Sequence, residues 1–481
     1  MKWERGILWF RNDLRLHDNE ALHQALEHTQ EVIPVYCIDP RHFEQTNLGF
    51  SKTGSYRAKF LIESLIDLRK RLRSKGSDLL IVEGKPEEVL IEIAHQYNAG
   101  GVFAHQEVTD EELQVETALE KRLFAEGIGL EMFWGATLYH LSDLPMPIRS
   151  LPEVFTNFRK EVEKFAPVRE CLATPEVIPS PHLTGSAALP SFDSLALDTP
   201  NLDERSVLAF SGGETEGLMR LQSYIWDQDC LKTYKETRNG LLGADYSSKF
   251  SAWLALGCLS PRKIYEEVKR YESLRKKNSS TYWMVFELIW RDYFRFVARR
   301  YGNAIFFAKG IKGTFSKEIS LVSEERQWHH FEAWRDGKTG FPFVDANMRE
   351  LAETGYMSNR GRQNVASFLV KDLGVDWRIG AEYFESQLID YDVCSNYGNW
   401  IYVAGVGNDP RENRYFNVIS QAKRYDVKGE YVKHWLPMLA DLPSQFIHEP
   451  WEAGQKGLLE YGVRLGVDYP QPIVSQRGML T

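Results

Sequence analysis

The sequence lacks the features that mark several protein classes. It has only five cysteines in 481 residues, and none of them forms a C-x-x-C pair. An odd number of cysteines without such a pair argues against a disulfide framework and for a reducing compartment. No apolar run approaches the roughly 18 residues of a membrane span, and the N-terminus leads directly into a predicted strand. We therefore expect a cytoplasmic protein without membrane contact.

Nucleotide-binding fingerprints and an excess of positive charge are also absent. The sequence contains no G-x-G-x-x-G motif and no Walker loop. Its net charge is −9, so a nucleic-acid partner would need a local basic face. Aromatic residues are abundant instead, with 13 Trp and 22 Tyr. Their rings suit core packing, which explains most of them, and stacking on planar ligands.

The order of the predicted elements indicates an α/β half followed by a helical half. Strand-like runs alternate with helical patterns over residues 1–140, which predicts a Rossmann-like, doubly wound parallel sheet domain. Periodicity is lost between about Pro167 and Pro200, so 141–205 is predicted to be an inter-domain linker. Residues 206–481 are predicted to form an all-α domain. The predicted strands are 6–10, 31–39, 79–82, 101–105 and 130–134, and the first long helix spans about Tyr56–Ser74.

Polar residues follow several of these strands. Open parallel sheets bind ligands at the carboxyl ends of their strands. The residues at that predicted edge are Arg11, Asn12, Asp13, Asp39 and Glu107. This half therefore predicts a ligand edge without identifying the ligand.

Two segments combine charges with strongly apolar runs. They read N-R-G-R-Q-N-V-A-S-F-L-V (359–370) and D-Y-D-V-C-S-N-Y-G-N-W (390–400). The charged residues are Arg360, Arg362, Asp390 and Asp392, and Trp377 and Trp400 accompany them. Charges drawn into a core must be paired or bound to a ligand. A purely structural pair of Arg362 with Asp390 is one interpretation. The tryptophans favour a second one, a cofactor wall.

Two further stretches have the chemistry of binding sites. Ser247, Ser248 and Ser251 precede an apolar run, and their position at a helix start suits a phosphate group, although ordinary N-capping explains them equally. Glu287 and Trp290 stand three residues apart on one predicted helix face beside Arg291. A carboxylate and an indole in one wall could bind a base, or they could be a solvated glutamate beside a core tryptophan.

Basic residues could line one face of this acidic protein. The candidates are Arg238, Lys249, Arg411, Arg414, Lys423, Arg424 and Lys433. A mixed, solvated surface is the alternative explanation of their spacing.

Five stretches taken together resemble the photolyase and cryptochrome family, and most closely its DASH branch. The similarity extends from Trp9 to about Trp451. The stretches are W-F-R-N-D-L-R-L-H-D (9–18), G-A-D-Y-S-S-K-F-S (243–251), E-L-I-W-R-D (287–292), Y-M-S-N-R-G-R-Q (356–363) and D-Y-D-V-C-S-N-Y-G-N-W (390–400).

The resemblance implies a U-shaped FAD bound in the helical domain. It implies an Arg362–Asp390 pair and places Asn396 opposite the flavin nitrogen that is protonated on reduction. A neutral amide can accept a hydrogen bond there, and in this way the protein tunes its cofactor. The implied cofactor-binding residues are Tyr234, Ser247, Ser248, Lys249, Phe250, Ser251, Asn359, Arg362, Asp390, Asp392 and Asn396. No metal is implied.

The family also implies a substrate, a cyclobutane pyrimidine dimer that is flipped out of DNA into a pocket. The implied DNA-binding residues are Arg238, Glu287, Trp290, Asn359, Arg360, Gln363 and Tyr402. Tyr402 and Gln363 stand where ordinary dimer photolyases carry an indole and a methionine. The more polar pocket favours single-stranded DNA. Asn359 and Gln363 replace the histidines of six-four photolyases, which argues against six-four repair.

The implied catalytic residues are Glu287, Trp290, Asn396, Trp400 and Trp377. The two latter tryptophans match the first members of an electron relay. Its distal position falls near Glu324, which is not an indole. Trp328, one helical turn away, or a tyrosine could take this role, or photoreduction is slow. The DASH branch also implies a methenyltetrahydrofolate antenna contacting Glu107, although a solvated glutamate heading a helix explains that residue as well.

The sequence therefore predicts a monomeric, light-driven lyase that acts on cyclobutane dimers in single-stranded DNA. A blue-light receptor that signals through partners is the alternative. A redox flavoprotein without DNA binding fits only the N-terminal half.

Overall fold

The computed structural model describes residues 2–185, 189–314, 321–411 and 414–474. The first part of the chain alternates strands and helices. The strands are β1 (Trp3–Phe10), β2 (Thr29–Ile38), β3 (Leu80–Glu83), β4 (Gly101–His105) and β5 (Gly129–Phe133). The helices are α1 (Glu20–His28), α2 (Ser55–Ser74), α3 (Pro86–Tyr97) and α4 (Asp110–Ala125). Each of the five predicted strands and the first long helix is present.

The strands form one parallel sheet in the order β3-β2-β1-β4-β5. Alternate residues of β1 lie on opposite faces of it. Ile7 and Trp9 belong to one buried apolar cluster, and Leu8 and Phe10 belong to another. Because successive side chains of a strand point to opposite faces, both faces of this sheet are covered. The predicted doubly wound α/β fold is confirmed.

The second part of the chain is helical, as predicted. One helix, α5 (Phe155–Phe165), lies within the stretch that the sequence assigns to a linker. The helices after it are α6 (Glu214–Gln222), α7 (Tyr234–Thr237), α8 (Ser251–Ala255), α9 (Pro261–Leu274), α10 (Ser279–Tyr301), α11 (Glu324–Arg335), α12 (Pro342–Thr354), α13 (Asn359–Ser367), α14 (Trp377–Gln387), α15 (Val393–Val403), α16 (Val418–Tyr425), α17 (Glu430–Trp435) and α18 (Gly454–Leu459). Within the described ranges, no helix is both long and apolar enough to cross a membrane.

Helix α10 is the longest of these and runs through the centre of the helical part. Asn278 caps it through a capping box with Thr281, so its first turn is fixed by side chains. It packs against α7, α9 and α15. Residues that α10 directs toward α15 therefore meet the residues that follow Asp392.

The segment after β1 joins the sheet to the helical part. Leu14 donates its backbone N–H to the carbonyl of Leu256 at 3.1 Å, and the Arg15 guanidinium donates to the carbonyl of Gly257 at 2.9 Å. Asp18 is fully buried and pairs with Arg262 at 2.7 Å. The 9–18 motif thus fixes the relative position of the two parts of the chain.

Side chains at the predicted ligand edge are already paired within the protein. Arg11 forms an ion pair with Glu116, and Asp13 accepts from Asn19 at 3.0 Å. Asp39 pairs with Arg41 at 2.6 Å. At these three positions the edge binds groups of the sheet part itself, namely Glu116 of α4, Asn19 at the start of α1 and Arg41.

Candidate functional site

A cavity in the helical part collects most of the predicted site residues. It consists of two adjoining chambers of about 490 and 190 Å³. Together these lie in the range of about 300–1,000 Å³ that is usual for ligand pockets. The larger chamber is lined by Tyr234, Arg238, Ser247, Ser248, Lys249, Phe250, Ser251, Glu287, Trp290, Asn359, Arg362, Gln363, Asp390, Asp392 and Tyr402. Asn396 and Trp400 line the smaller one. Arg360, Trp377 and Glu107 line neither.

Arg220 fixes the loop that contains Ser247 and Ser248 and leads to Ser251. Its guanidinium donates to the carbonyls of Ala244, Ser247 and Ser248 at 3.0 to 3.2 Å. It also pairs with Asp245 at 2.8 Å. Ser247, Ser248 and Ser251 of the same stretch line the larger chamber. Arg220 carries no motif signal, so the sequence did not reveal it.

Lys249 lies inside this wall and not on an exposed face. Only 3% of the residue is exposed, and its ammonium donates to the carbonyls of Gly243 and Ala244 at 3.2 and 2.8 Å. Burial lowers the pKa of Lys249 to about 7. The prediction that Lys249 contributes to a basic surface is wrong, because the side chain is buried and its ammonium is bonded to two backbone carbonyls.

The two segments around 359–400 meet across the cavity. One Arg362 nitrogen donates to both oxygens of Asp390, at 2.9 and 2.8 Å, and Arg362 also donates to the Met357 carbonyl at 2.9 Å. Asp392 begins α15 and accepts the backbone N–H of Ser395 at 2.7 Å. The structural pair and the cavity wall are therefore not alternatives, since the same side chains form both.

Asn396 is oriented by its neighbour Ala381. Its amide nitrogen donates to the Ala381 carbonyl at 3.0 Å. That hydrogen bond determines which end of the amide faces the protein backbone. The side-chain carbonyl oxygen remains as an acceptor in the smaller chamber.

Glu287 and Trp290 lie on one face of α10 at the larger chamber. Glu287 pairs with Arg238 at 2.9 Å. Burial raises the pKa of Glu287, although Arg238 opposes this shift. The Trp290 ring stacks on Phe155, with centroids 3.6 Å apart, and meets Tyr402 edge-on at 5.9 Å. Phe155 belongs to α5 and was missed, because no local pattern connects it with Trp290.

Arg360 lies beside the cavity and not in its wall. Its guanidinium donates to Asn239 at 2.9 Å and lies over the Tyr425 ring at 4.6 Å. Arg424 lies over the same ring at 5.3 Å. Burial lowers the pKa of Arg360, and the nearby Arg238 and Arg424 add to this shift.

Other members of the predicted basic face carry carboxylate partners. Arg414 pairs with Asp409, and Lys423 pairs with Glu449. These pairs fit the alternative of a mixed surface. Arg424, a member of the predicted basic face, and Arg360, a predicted DNA-binding residue, converge on the Tyr425 ring near the cavity.

The predicted relay residues lie in different surroundings. Trp400 is 2% exposed and contacts Phe384 at 5.1 Å and Trp334 at 6.5 Å. Trp377 is also buried, and its ring contacts Tyr397 at 6.2 Å. Trp334 was missed, since no motif contains it.

The two positions considered for the distal end of the predicted relay lie on α11. Glu324 begins this helix and is exposed, whereas Trp328 is half-buried. The Trp328 ring contacts Phe331 at 5.8 Å, and Phe331 contacts Trp334 at 5.9 Å. A continuous series of rings therefore connects Trp328 with Trp400.

Glu107 lies between the sheet and the helical part. It is 6% exposed, forms an ion pair with Arg295 of α10 and accepts from Asn12 at 3.3 Å. The interpretation of Glu107 as a solvated residue at a helix start is wrong, because α10 closes over it.

Comparisons with known proteins agree with this geometry. A family model described as the FAD binding domain of DNA photolyase matches residues 283–479, and one described as DNA photolyase matches 6–180. A relative named Cryptochrome DASH from Gloeobacter violaceus is 54% identical over 474 residues, which are 98% of this chain and 94% of that one.

Two solved structures are also similar. The Synechocystis cryptochrome has a TM-score of 0.94 and 54% identity, covering 98% of this chain and 96% of its own. An archaeal photolyase from Sulfolobus tokodaii, solved with two FAD molecules, has a TM-score of 0.77 and 30% identity, covering 98% and 96%.

Proposed function

The chain belongs to the photolyase and cryptochrome family, and we propose that it repairs cyclobutane pyrimidine dimers, preferentially in single-stranded DNA, when light excites its reduced FAD. One observation carries this proposal. The same cavity is lined on one side by three serines, the Arg362–Asp390 pair and Asn396. Glu287 and Trp290 line its mouth.

The residues of the cavity fit FAD. Hydroxyls of Ser247, Ser248 and Ser251 suit a diphosphate, and their loop is fixed from the opposite side by Arg220. Asp390 and Asp392 offer carboxylate acceptors for the hydroxyl and imide donors of the cofactor. When bound, FAD supplies light absorption and the electron that opens the cyclobutane ring.

Residues of the chain itself bind the cofactor at this site and hold one another in position. The Asn396 oxygen accepts a hydrogen bond from a protonated nitrogen without taking the proton, since an amide is not basic. Arg362 fixes the Asp390 carboxylate through two hydrogen bonds. Trp290 cannot rotate freely, because Phe155 and Tyr402 hold its ring.

The mouth of the cavity suits a flipped pyrimidine dimer. Trp290 offers an apolar plane, and Glu287 offers a carboxyl group that burial favours in its protonated form. The Gln363 amide oxygen is buried and has no hydrogen-bond partner among the described residues, so it can accept from a base edge. Extrusion from a single strand costs less than extrusion from a duplex, and a polar pocket supports that preference.

The remaining expectations extend this proposal. We propose that the sheet domain spans 1–140 and the helical domain 206–481, with 141–205 between them, and that the protein acts as a monomer in the cytoplasm. We also propose methenyltetrahydrofolate as an antenna near Glu107. Its near-ultraviolet absorption band in the purified protein tests this last point.

One experiment separates repair from signalling. Purified, reduced protein is incubated with thymine-dimer oligonucleotides, single- and double-stranded, under near-ultraviolet light and in darkness. We expect light-dependent loss of dimers, faster from single strands. Bound flavin without any such loss would favour the alternative, a blue-light receptor.

A further inference from the structure

A buried arginine connects the two parts of the chain at the cavity. Arg295 is 5% exposed and projects from α10 between Glu107 of the sheet part and Asp392 of the cavity wall. It forms a direct ion pair with Glu107, whereas its other terminal nitrogen lies 3.7 Å from Asp392. Arg291, one turn earlier on the helix, lies 3.9 Å from the same Asp392 oxygen.

Arg295 therefore interacts more strongly with Glu107 than with Asp392. A separation of 3.7 Å is longer than a hydrogen bond between a guanidinium and a carboxylate, which measures about 2.7–2.9 Å. Asp392 therefore receives electrostatic support from two arginines without being bonded to either of them. One oxygen of Asp392 accepts from Ser395, and the oxygen that faces the arginines keeps its capacity to accept from a ligand.

The surroundings of Asp392 require this support. Burial is the largest effect on the carboxyl group and opposes its ionisation, yet the pKa of Asp392 is lowered because Arg291, Arg295 and Ser395 outweigh burial. Glu107 in turn is held by Asn12 at 3.3 Å, and its backbone N–H donates to Glu116 at 2.9 Å. The sheet part thus fixes the position of Glu107, and Glu107 fixes Arg295.

We propose that Arg295 is a positioning residue for the cofactor. Glu107 holds it back from Asp392, so that one oxygen of the Asp392 carboxylate stays free to accept a hydrogen bond from FAD. If the charge of Glu107 is removed, Arg295 is released, bonds Asp392 directly and withdraws that acceptor. A glutamate outside the cavity thereby controls cofactor binding. This inference rests on the proposed FAD site.

Cofactor binding tests the idea without any repair assay. FAD is added to apo-protein, and its affinity is measured from flavin fluorescence, together with the visible absorption spectrum of the bound flavin. We expect Glu107→Gln to weaken binding about tenfold, or by about 1.4 kcal/mol, because FAD loses a hydrogen bond to Asp392. Arg295→Met should also weaken binding, and Arg295→Lys, which keeps the charge, should restore part of it.

The double variant distinguishes positioning from a general loss of structure. Because Glu107 acts through Arg295, Glu107→Gln combined with Arg295→Met should bind FAD as weakly as Arg295→Met alone. Glu88→Gln is the matched control, since Glu88 pairs with Arg122 on an exposed surface of the same sheet part. That variant should bind like the wild type.

Four outcomes would overturn the inference. Glu107→Gln could fold and bind FAD with unchanged affinity and spectrum, or the two substitutions could simply add. If Glu107→Gln does not fold, Asn12→Ala replaces it, because this variant removes the hydrogen bond to Glu107 without a change in charge. Unchanged FAD affinity in Asn12→Ala would likewise contradict the inference. Wild-type protein that binds no FAD would refute the proposed function itself, and this inference with it.

Discussion

Arg362 and Asp390 are joined by two hydrogen bonds from one guanidinium nitrogen, at 2.9 and 2.8 Å, although 28 residues separate them in the chain. The Asp390 side chain is 2% exposed and that of Arg362 is 24% exposed. The pair closes one wall of the cavity, so its loss should affect stability and cofactor binding together.

Replacement of Asp390 tests this pair. Asp390→Asn leaves the Arg362 guanidinium without its carboxylate, so the free energy of unfolding should fall by on the order of 3 kcal/mol. Urea unfolding of apo-protein measures the change, and the flavin absorbance of purified protein should fall as well. Asp468→Asn breaks an exposed pair with Arg464 and serves as the control, with an expected change below about 1 kcal/mol. Equal losses in both variants would contradict the prediction.

Trp290 should contribute stacking energy to lesion binding. Trp290→Ala removes the plane that Phe155 supports, so the affinity for a single-stranded oligonucleotide with one thymine dimer should fall roughly 5- to 150-fold. Fluorescence anisotropy measures it. Trp226→Ala is the control, because this half-buried indole bonds to Glu267 and lines neither chamber. An unchanged affinity in Trp290→Ala would remove the indole from the binding site.

Arg360 should contact a phosphate beside the cavity. Each phosphate contact adds about 0.7 to the slope of log K against log salt concentration for single strands. Arg360→Ala should therefore make that slope shallower by about this amount. Arg464→Ala, which removes a cation paired with Asp468, should leave it unchanged. If the two variants show the same slope, Arg360 does not bind the backbone.

Glu350 should make stability depend on pH. It is fully buried, and burial raises its pKa from 4.5 to about 8, although Tyr431, Lys249 and Arg362 oppose the shift. The folded protein then keeps a proton that the unfolded chain releases near pH 4.5, so this group's stabilisation is lost as pH rises from 4.5 to 8.

Glu350→Gln removes this contribution. Between pH 5 and 8 the free energy of unfolding of the variant should fall less steeply than that of the wild type, by up to about 1.4 kcal/mol per pH unit. Urea unfolding at several pH values measures both slopes. Parallel curves for the two proteins would show that Glu350 is ionised in the fold.

Trp400 and Trp334 should carry electrons from the surface toward the flavin. Phenylalanine is much harder to oxidise than tryptophan, so Trp400→Phe should slow the light-driven loss of oxidised flavin absorbance in the presence of an external thiol. Trp334→Phe should slow it less, since Trp377 remains. Trp435→Phe is the control, because Trp435 lies in a separate buried cluster. A rate equal to that of the wild type in Trp400→Phe would exclude this residue from the relay.

Local patterns predicted the fold well. Alternating and helical periodicity depend on neighbours in the chain, and for this reason all five strands and α2 lie within a few residues of their predicted positions. Motifs likewise predicted much of the cavity wall, since residues 247–251 line it without a gap and seven residues of 390–400 line it as well.

Contacts between distant elements escaped the sequence. Phe155 stacks on Trp290 although the two lie 135 positions apart in the chain, and Glu107 pairs with Arg295 across 188 positions. The burial of Lys249 and the ion pairs of Arg414 and Lys423 were likewise not predicted from the sequence. Charge and residue type are properties of single positions, whereas pairing depends on which surfaces the chain brings together.

The sequence by itself determined the parallel sheet, the helical second part and the residue types that face the cavity, because these follow from local periodicity and short motifs. Tertiary structure alone decided which charges are free and which are paired, and it placed Arg295 between Glu107 and Asp392. Burial makes that placement matter, because a charge removed from water interacts strongly with the few partners that packing leaves within reach.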